Sequence, residues 1–170
     1  EFLVRAGVDP AEVRFEEGSG LSRNNLLTAR ATVGLLAAMA RHPAANDFEA
    51  SLPIAGRDGT LRTRLRGTAA EGNVKAKTGT LRWANAVSGY VTTAGGERLA
   101  FALLLNRHAP EVGAPSAREE LDQIVALLAA YAGPRACSSS CVATNSCPSA
   151  AIHPLYLTSS VTEDGFSKMR

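Results

Sequence analysis

An α+β arrangement, with helices packed on an antiparallel sheet, is what three features of this chain predict. Three strand-like runs follow one another closely: Val74 to Leu81, Ala86 to Thr93 and Leu99 to Asn106. Helical spacing brackets them, from Thr28 to Arg41 before and from Ser116 to Tyr131 after. A hairpin signal, Ala94-Gly95-Gly96-Glu97, joins the last two strands and makes them antiparallel. The order helix, meander, helix belongs to segregated α+β folds rather than to alternating α/β ones.

Each element has a local reason. The opening segment ends at Gly7-Val8-Asp9-Pro10, and Gly18 and Gly20 mark a tight loop after Phe15. In the first long helix Val33, Leu35, Leu36 and Met39 form the apolar stripe, Thr28 is the N-cap, and Pro43 ends the run. His42, in the last turn, is expected to complement the helix dipole. Phe48 to Leu52 reads as a second short helix closed by Pro53, and Gly56-Arg57-Asp58-Gly59 as a turn. Leu61 to Leu65 alternates apolar and basic residues and reads as strand-like. The run Leu99-Ala100-Phe101-Ala102-Leu103-Leu104-Leu105 suits a strand buried on both faces. Ser116 with Glu119 makes a capping box for the last helix, whose stripe is Leu121, Ile124, Val125, Leu127 and Leu128.

Composition narrows the function. The chain has 170 residues, 45% of them hydrophobic but only 5% aromatic, so the core rests on Ala, Leu and Val. A net charge of +2, with arginines (Arg57, Arg62, Arg64, Arg66) that lack interleaved aromatics, argues against nucleic acid as a partner. No stretch reaches the ~18 apolar residues of a membrane span, and no signal-peptide pattern opens the chain. Glu1-Phe2-Leu3-Val4 lacks an initiator Met and reads as a cut.

After Pro134 the patterning stops. Cys137, Cys141 and Cys147, the three cysteines, sit in a Ser-rich stretch with no periodicity. Their spacing, with His153 beyond, matches no standard zinc site. Residues 1–134 are therefore expected to form one folded part, and 135–170 a disordered or non-native tail.

The chemistry centres on Lys77-Thr78-Gly79-Thr80, at the end of the strand-like run. Strand-borne Lys-Thr-Gly is a signature element of active-site-serine enzymes that bind penicillin. Its residue types suit a peptide ending in a carboxylate. The ammonium supplies a charge and the hydroxyls supply donors, while the glycine lets an extended ligand lie against the strand. On its own the tripeptide is also what an ordinary strand before a turn looks like.

Two further segments add specificity: Glu17-Gly18-Ser19-Gly20-Leu21-Ser22-Arg23-Asn24-Asn25-Leu26 and Leu52-Pro53-Ile54-Ala55-Gly56-Arg57-Asp58-Gly59-Thr60-Leu61. With Lys75-Ala76-Lys77-Thr78-Gly79-Thr80-Leu81, residues 2–133 resemble the C-terminal part of penicillin-binding protein 4 type D-alanyl-D-alanine carboxypeptidases. These are the class C penicillin-binding proteins, peptidase family S13. Glu17 departs from the family, which usually has Asp there.

The resemblance implies part of a penicillin-binding transpeptidase/β-lactamase-like domain. It implies a serine peptidase outside the cytoplasmic membrane, acting without metal or other cofactor on peptidoglycan stem peptides ending in D-Ala-D-Ala. β-Lactams would be its inhibitors. Lys77, Thr78, Gly79 and Thr80 would be substrate-binding, with the Thr80 backbone N–H lent to the oxyanion hole.

The nucleophile's motif is missing. No serine lies three residues before Lys75, Lys77 or Lys168; Gly72, Val74 and Gly165 stand there. Ser22-Arg23-Asn24 fits the letters of Ser-x-Asn, but in the family the Gly-Ser-Gly-Leu-Ser segment is a separate element, so Ser22 reads as a loop or capping residue. Lacking Ser-x-x-Lys, this chain is expected to be inactive alone, with no catalytic residue of its own. A non-catalytic peptide-binding module and a fragment of a serine β-lactamase are the competing readings.

Overall fold

The computed structural model describes residues 1–108, 111, 113–133, 152–161 and 167–169. A short helix α1 (Phe2–Arg5) leads to β1 (Val13–Arg14), which pairs antiparallel with β2 (Leu26–Leu27) across the glycine loop. Helix α2 (Ala29–Met39) starts at Thr28, whose hydroxyl accepts the Ala31 N–H at 3.0 Å as an N-cap should. Helix α3 (Ala45–Ala50) follows.

His42 lies beyond the end of α2, and its Nδ1 accepts the Ala44 N–H at 3.1 Å. The sequence puts His42 in the last turn of the helix, but α2 ends at Met39, three residues before it. The strand-like reading of Leu61 to Leu65 is also overturned. Gly59–Leu61 is one 3-10 turn, and Leu65 adopts a left-handed φ of 63°, which interrupts any extended path. Both leucines are buried, so the turn folds them into the core.

The sheet is built from β3 (Lys75–Leu81), β4 (Ala84–Thr92) and β5 (Arg98–Asn106), each antiparallel to the next. Helix α4 (Ala117–Ala130) packs on one face behind its capping box of Ser116 and Glu119. Alternation on β5 explains the two layers. Leu99, Phe101, Leu103 and Leu105 enter the core shared with α4, Leu61 and Leu65. Ala100, Ala102 and Leu104 face the core built on Ala29, Val33 and Leu36 of α2. The small residues let the helix approach closely; the large ones fill the other side. Tyr90 anchors the α2 face by donating its hydroxyl to the Leu36 carbonyl at 2.7 Å. Burial, with help from the Glu49 charge and against Arg98, pushes that phenol up to about 12.

The sequence sets 135–170 apart from the folded part, and two stretches of it are described. Strand β6 (Ile152–Val161) lies parallel to β5, with Ile152 opposite Arg98 and Ser160 opposite Asn106. Strand β7 (Ser167–Met169) then pairs antiparallel with β6, giving the order β3-β4-β5-β6-β7. An apolar strand such as β5 has a row of backbone donors and acceptors on its outer edge, and β6 takes them. Ile152 and Leu155 also add to the two cores. The rest of that stretch lies outside the described residues, together with the three cysteines and the side chain of His153.

Candidate substrate-binding edge

Strand β3 is an edge strand, so one side of its backbone pairs with β4 and the other faces outward. Its first residues are covered: the Ala76 N–H donates to Pro53 O at 2.9 Å, and Ile54 bridges to Lys75. Alternation then fixes the rest. If Ala76 points its N–H outward, Thr78 and Thr80 do the same. Along Lys77–Leu81 no strand among the described residues takes that edge.

The pleat also sorts the side chains. Ala76 is buried in the α4-side core, which puts Thr78 and Thr80 on that face. Lys75, Lys77 and Gly79 share the opposite face, where Lys75 Nζ pairs with Glu49 at 3.1 Å. Sequence reasoning grouped Lys77 with the two threonines; the strand separates them by face. The lysine returns by its length. Lys77 is exposed, and its ammonium donates to the Thr78 carbonyl on the open edge. Glu49 also pairs with Arg98, which stacks on Tyr90 with its guanidinium carbon 5.4 Å from the ring centroid. One carboxylate of α3 thus ties β3 to β5 at the foot of the motif strand.

Thr78 has a partner that the sequence did not announce. Its Oγ1 lies 2.9 Å from Thr60 Oγ1, in the 3-10 turn before the strand. The only signal for Thr60 was its place inside the Leu52–Leu61 segment. Thr80 is exposed, and its hydroxyl makes no hydrogen bond among the described residues.

The two glycines of β3 and β4 differ. A Cβ on Gly89 would lie 2.1 Å from the Lys75 carbonyl and 2.6 Å from Ala76 Cα, so that glycine is required by packing. A Cβ on Gly79 would meet only Ala86 Cβ, at an ordinary 3.7 Å. Nothing among the described residues needs Gly79 to be bare.

Beyond the motif the strand turns through Arg82 and Trp83. Trp83 and Arg107 hold left-handed φ values of 66° and 53°, and the Arg107 N–H donates to the Trp83 carbonyl at 2.7 Å. The Arg82 guanidinium lies 5.6 Å from the Trp83 ring centroid.

The Gly18–Asn25 loop is organised by its own polar groups. Glu17 accepts the Ser22 N–H at 2.9 Å, and hydrogen bonds from Ser19, first its hydroxyl, and from Ser22 bring that carboxyl down to about 2. Ser22 donates its hydroxyl to Glu16 and accepts the Asn24 N–H at 3.1 Å. The Ser22 hydroxyl bond, and after it the bonds from Asn24, lower the Glu16 pKa, and both residues are taken up in holding the loop. A depression of about 420 Å³ lies on this loop, lined by Phe15, Glu16, Glu17, Gly18, Gly20 and Asn25, and includes no residue of β3. Among the described residues no group of three or more His, Cys, Asp or Glu is placed to hold a metal. No helix among them is long and apolar enough to cross a membrane. What the edge offers is recognition: outward N–H groups, three hydroxyls and one ammonium.

Comparison with known proteins agrees with this architecture. The chain is 46% identical over 141 residues to a D-alanyl-D-alanine carboxypeptidase of Actinomadura sp., covering 80% of this chain and 25% of that protein. It is 38% identical over 132 residues to carboxypeptidase DacB of Mycolicibacterium smegmatis, covering 74% of this chain and 28% of that one. Penicillin binding protein 4 (dacB) of Haemophilus influenzae, solved in complex with a β-lactam, superposes with a TM-score of 0.59 at 28% identity. That match covers 75% of this chain and 30% of the solved one. The chain therefore spans about a quarter of the length of the curated relatives it matches. The model of the D-Ala-D-Ala carboxypeptidase 3 (S13) family matches residues 1–131, and the chain belongs to that family.

Proposed function

We propose that this chain is the substrate-binding portion of a serine-type D-Ala-D-Ala carboxypeptidase that cleaves peptidoglycan stem peptides. The observation that carries the reading is the open edge of β3, where Thr78 and Thr80 face outward and Gly79 is bare without need. An extended peptide adds to such an edge by backbone pairing. Its terminal carboxylate would be held by the Thr78 and Thr80 hydroxyls, with the Lys77 ammonium supplying charge from around the edge. Binding would draw Lys77 away from the Thr78 carbonyl and free that acceptor for the peptide. The Thr80 N–H then faces the scissile carbonyl and stabilises the oxyanion as it develops.

The nucleophile and its lysine base belong to the portion of the protein that carries Ser-x-x-Lys, which this sequence does not contain. Acylation and deacylation of that serine need no metal. β-Lactams, which also present a carboxylate beside a reactive carbonyl, would acylate it and inhibit the enzyme. Its substrate lies outside the cytoplasmic membrane, and the enzyme would work there.

One observation favours a second reading: without Ser-x-x-Lys, the same edge serves a peptide-binding module that does no chemistry. Labelling of the full-length gene product with a fluorescent penicillin separates the two. The enzyme reading predicts covalent labelling that Lys77→Ala and Thr78→Val each slow by about tenfold or more, from loss of a charge-assisted hydrogen bond. Absence of labelling, with D-Ala-ended peptides still bound, would leave the module.

A further inference from the structure

The structure assigns Thr60 a role at the same edge: we infer that it is a positioning residue that aims the Thr78 hydroxyl at the substrate's terminal carboxylate. The inference rests on the functional reading above and concerns how that site is held.

Threonine has one hydroxyl proton and two acceptor lone pairs. A Thr78 hydroxyl that is to donate to a carboxylate leaves its oxygen needing a donor, and Thr60 Oγ1 is 2.9 Å away. In the structure Thr78 donates to Thr60; both hydroxyls rotate, and once a carboxylate takes the Thr78 proton, Thr60 donates to Thr78 in a relay that points that proton toward the ligand. Such a chain strengthens the terminal donor, because each hydrogen bond polarises the next.

Thr60 is exposed, yet its backbone is fixed on both sides. Leu61 is fully buried in the α4-side core next to it. Asp58 Oδ1 accepts the Ile54 N–H at 2.6 Å, and the Gly56 N–H donates to the Leu61 carbonyl at 3.0 Å. Gly59 rides on Pro53, where an added Cβ would come within 2.9 Å of the ring. The same Pro53 accepts the Ala76 N–H of β3. One rigid turn therefore carries both the strand's backbone partner and Thr78's hydroxyl partner. The sequence separation of 18 between Thr60 and Thr78 explains why sequence alone did not join them.

The test uses the full-length gene product, fluorescent penicillin acylation, and binding of a D-Ala-ended peptide beside its C-terminal amide. Thr60→Val keeps the shape and removes the hydroxyl; Thr60→Ser restores a hydroxyl. The expected result is about tenfold slower acylation for Thr60→Val, with rescue by Thr60→Ser and an unchanged melting temperature. Binding of the carboxylate peptide should fall and binding of the amide should not. Overturning results are full activity in Thr60→Val, no rescue by Thr60→Ser, or equal losses for carboxylate and amide. Thr78→Val runs beside them: if it too leaves acylation untouched, the reading of the whole edge fails, and not merely the role of Thr60.

Discussion

Gly79 stands opposite Ala86 and Gly89 opposite Ala76 on the paired strands β3 and β4, and the two glycines are there for different reasons. Gly89 has the Lys75 carbonyl where a Cβ would stand, so Gly89→Ala forces the β3 backbone to move. About 3 kcal/mol of stability should be lost, the scale of overpacking against backbone. Gly79→Ala meets nothing closer than 3.7 Å and should leave stability within about 0.5 kcal/mol. Urea denaturation of the two variants beside the parent protein measures both. Equal losses would mean that Gly79 is a packing glycine and that its bareness says nothing about a ligand. At this scale the sequence was informative about identity and silent about direction. Lys77, Thr78, Gly79 and Thr80 could be named as a candidate set because their types suit a carboxylate. That Lys77 leaves the strand on the other face from Thr78 depends on register, which pairing with β4 decides.

Among the elements, the helices and the meander were legible because each carries its own signal. Thr28 and Ser116 cap their helices as their residue types predict, and β5 alternates between two cores as an unbroken apolar run should. The capping box of α4 gives a prediction with a sign. Ser116→Ala should cost about 1 kcal/mol. Glu119, whose carboxylate accepts the Ser116 N–H at 2.7 Å, has a pKa lowered from its ordinary 4.5 by that backbone bond first and the Ser116 hydroxyl second. A lowered folded pKa means the contribution is complete above 4.5 and is lost as pH falls through the lowered value. Stability measured between pH 7 and pH 2 should therefore fall more in the parent than in Glu119→Gln; parallel curves would remove Glu119 from the account. Elements set by distant contacts were not legible. Leu61 to Leu65 has an alternating pattern, but burial of both leucines under the sheet selects a turn. Strand β6 has no hairpin to announce it, since it pairs in parallel with β5 from a distant part of the chain.

For the molecule as a whole, the arrangement is a sheet with α2 on one face, α4 on the other, an open edge at β3 and a covered edge at β5. The family match ends at residue 131, so β6 and β7 lie beyond the matched part yet complete the sheet. Removing residues 134–170 should uncover the β5 edge, lower the melting temperature and promote self-association, which light scattering on the shortened protein would detect. A shortened protein that stays monomeric with an unchanged melting temperature would show that β5 needs no such neighbour. The other edge carries the central claim, that β3 from Lys77 to Thr80 is left open for a peptide. The most direct measurement is the rate at which a fluorescent penicillin acylates the full-length gene product carrying Thr80→Pro, which removes an outward N–H of the edge, read beside its melting temperature. The account predicts acylation slowed at least tenfold with little change in melting temperature, because the lost N–H faces the open edge and pairs with no strand among the described residues. Acylation at the parent's rate would contradict it.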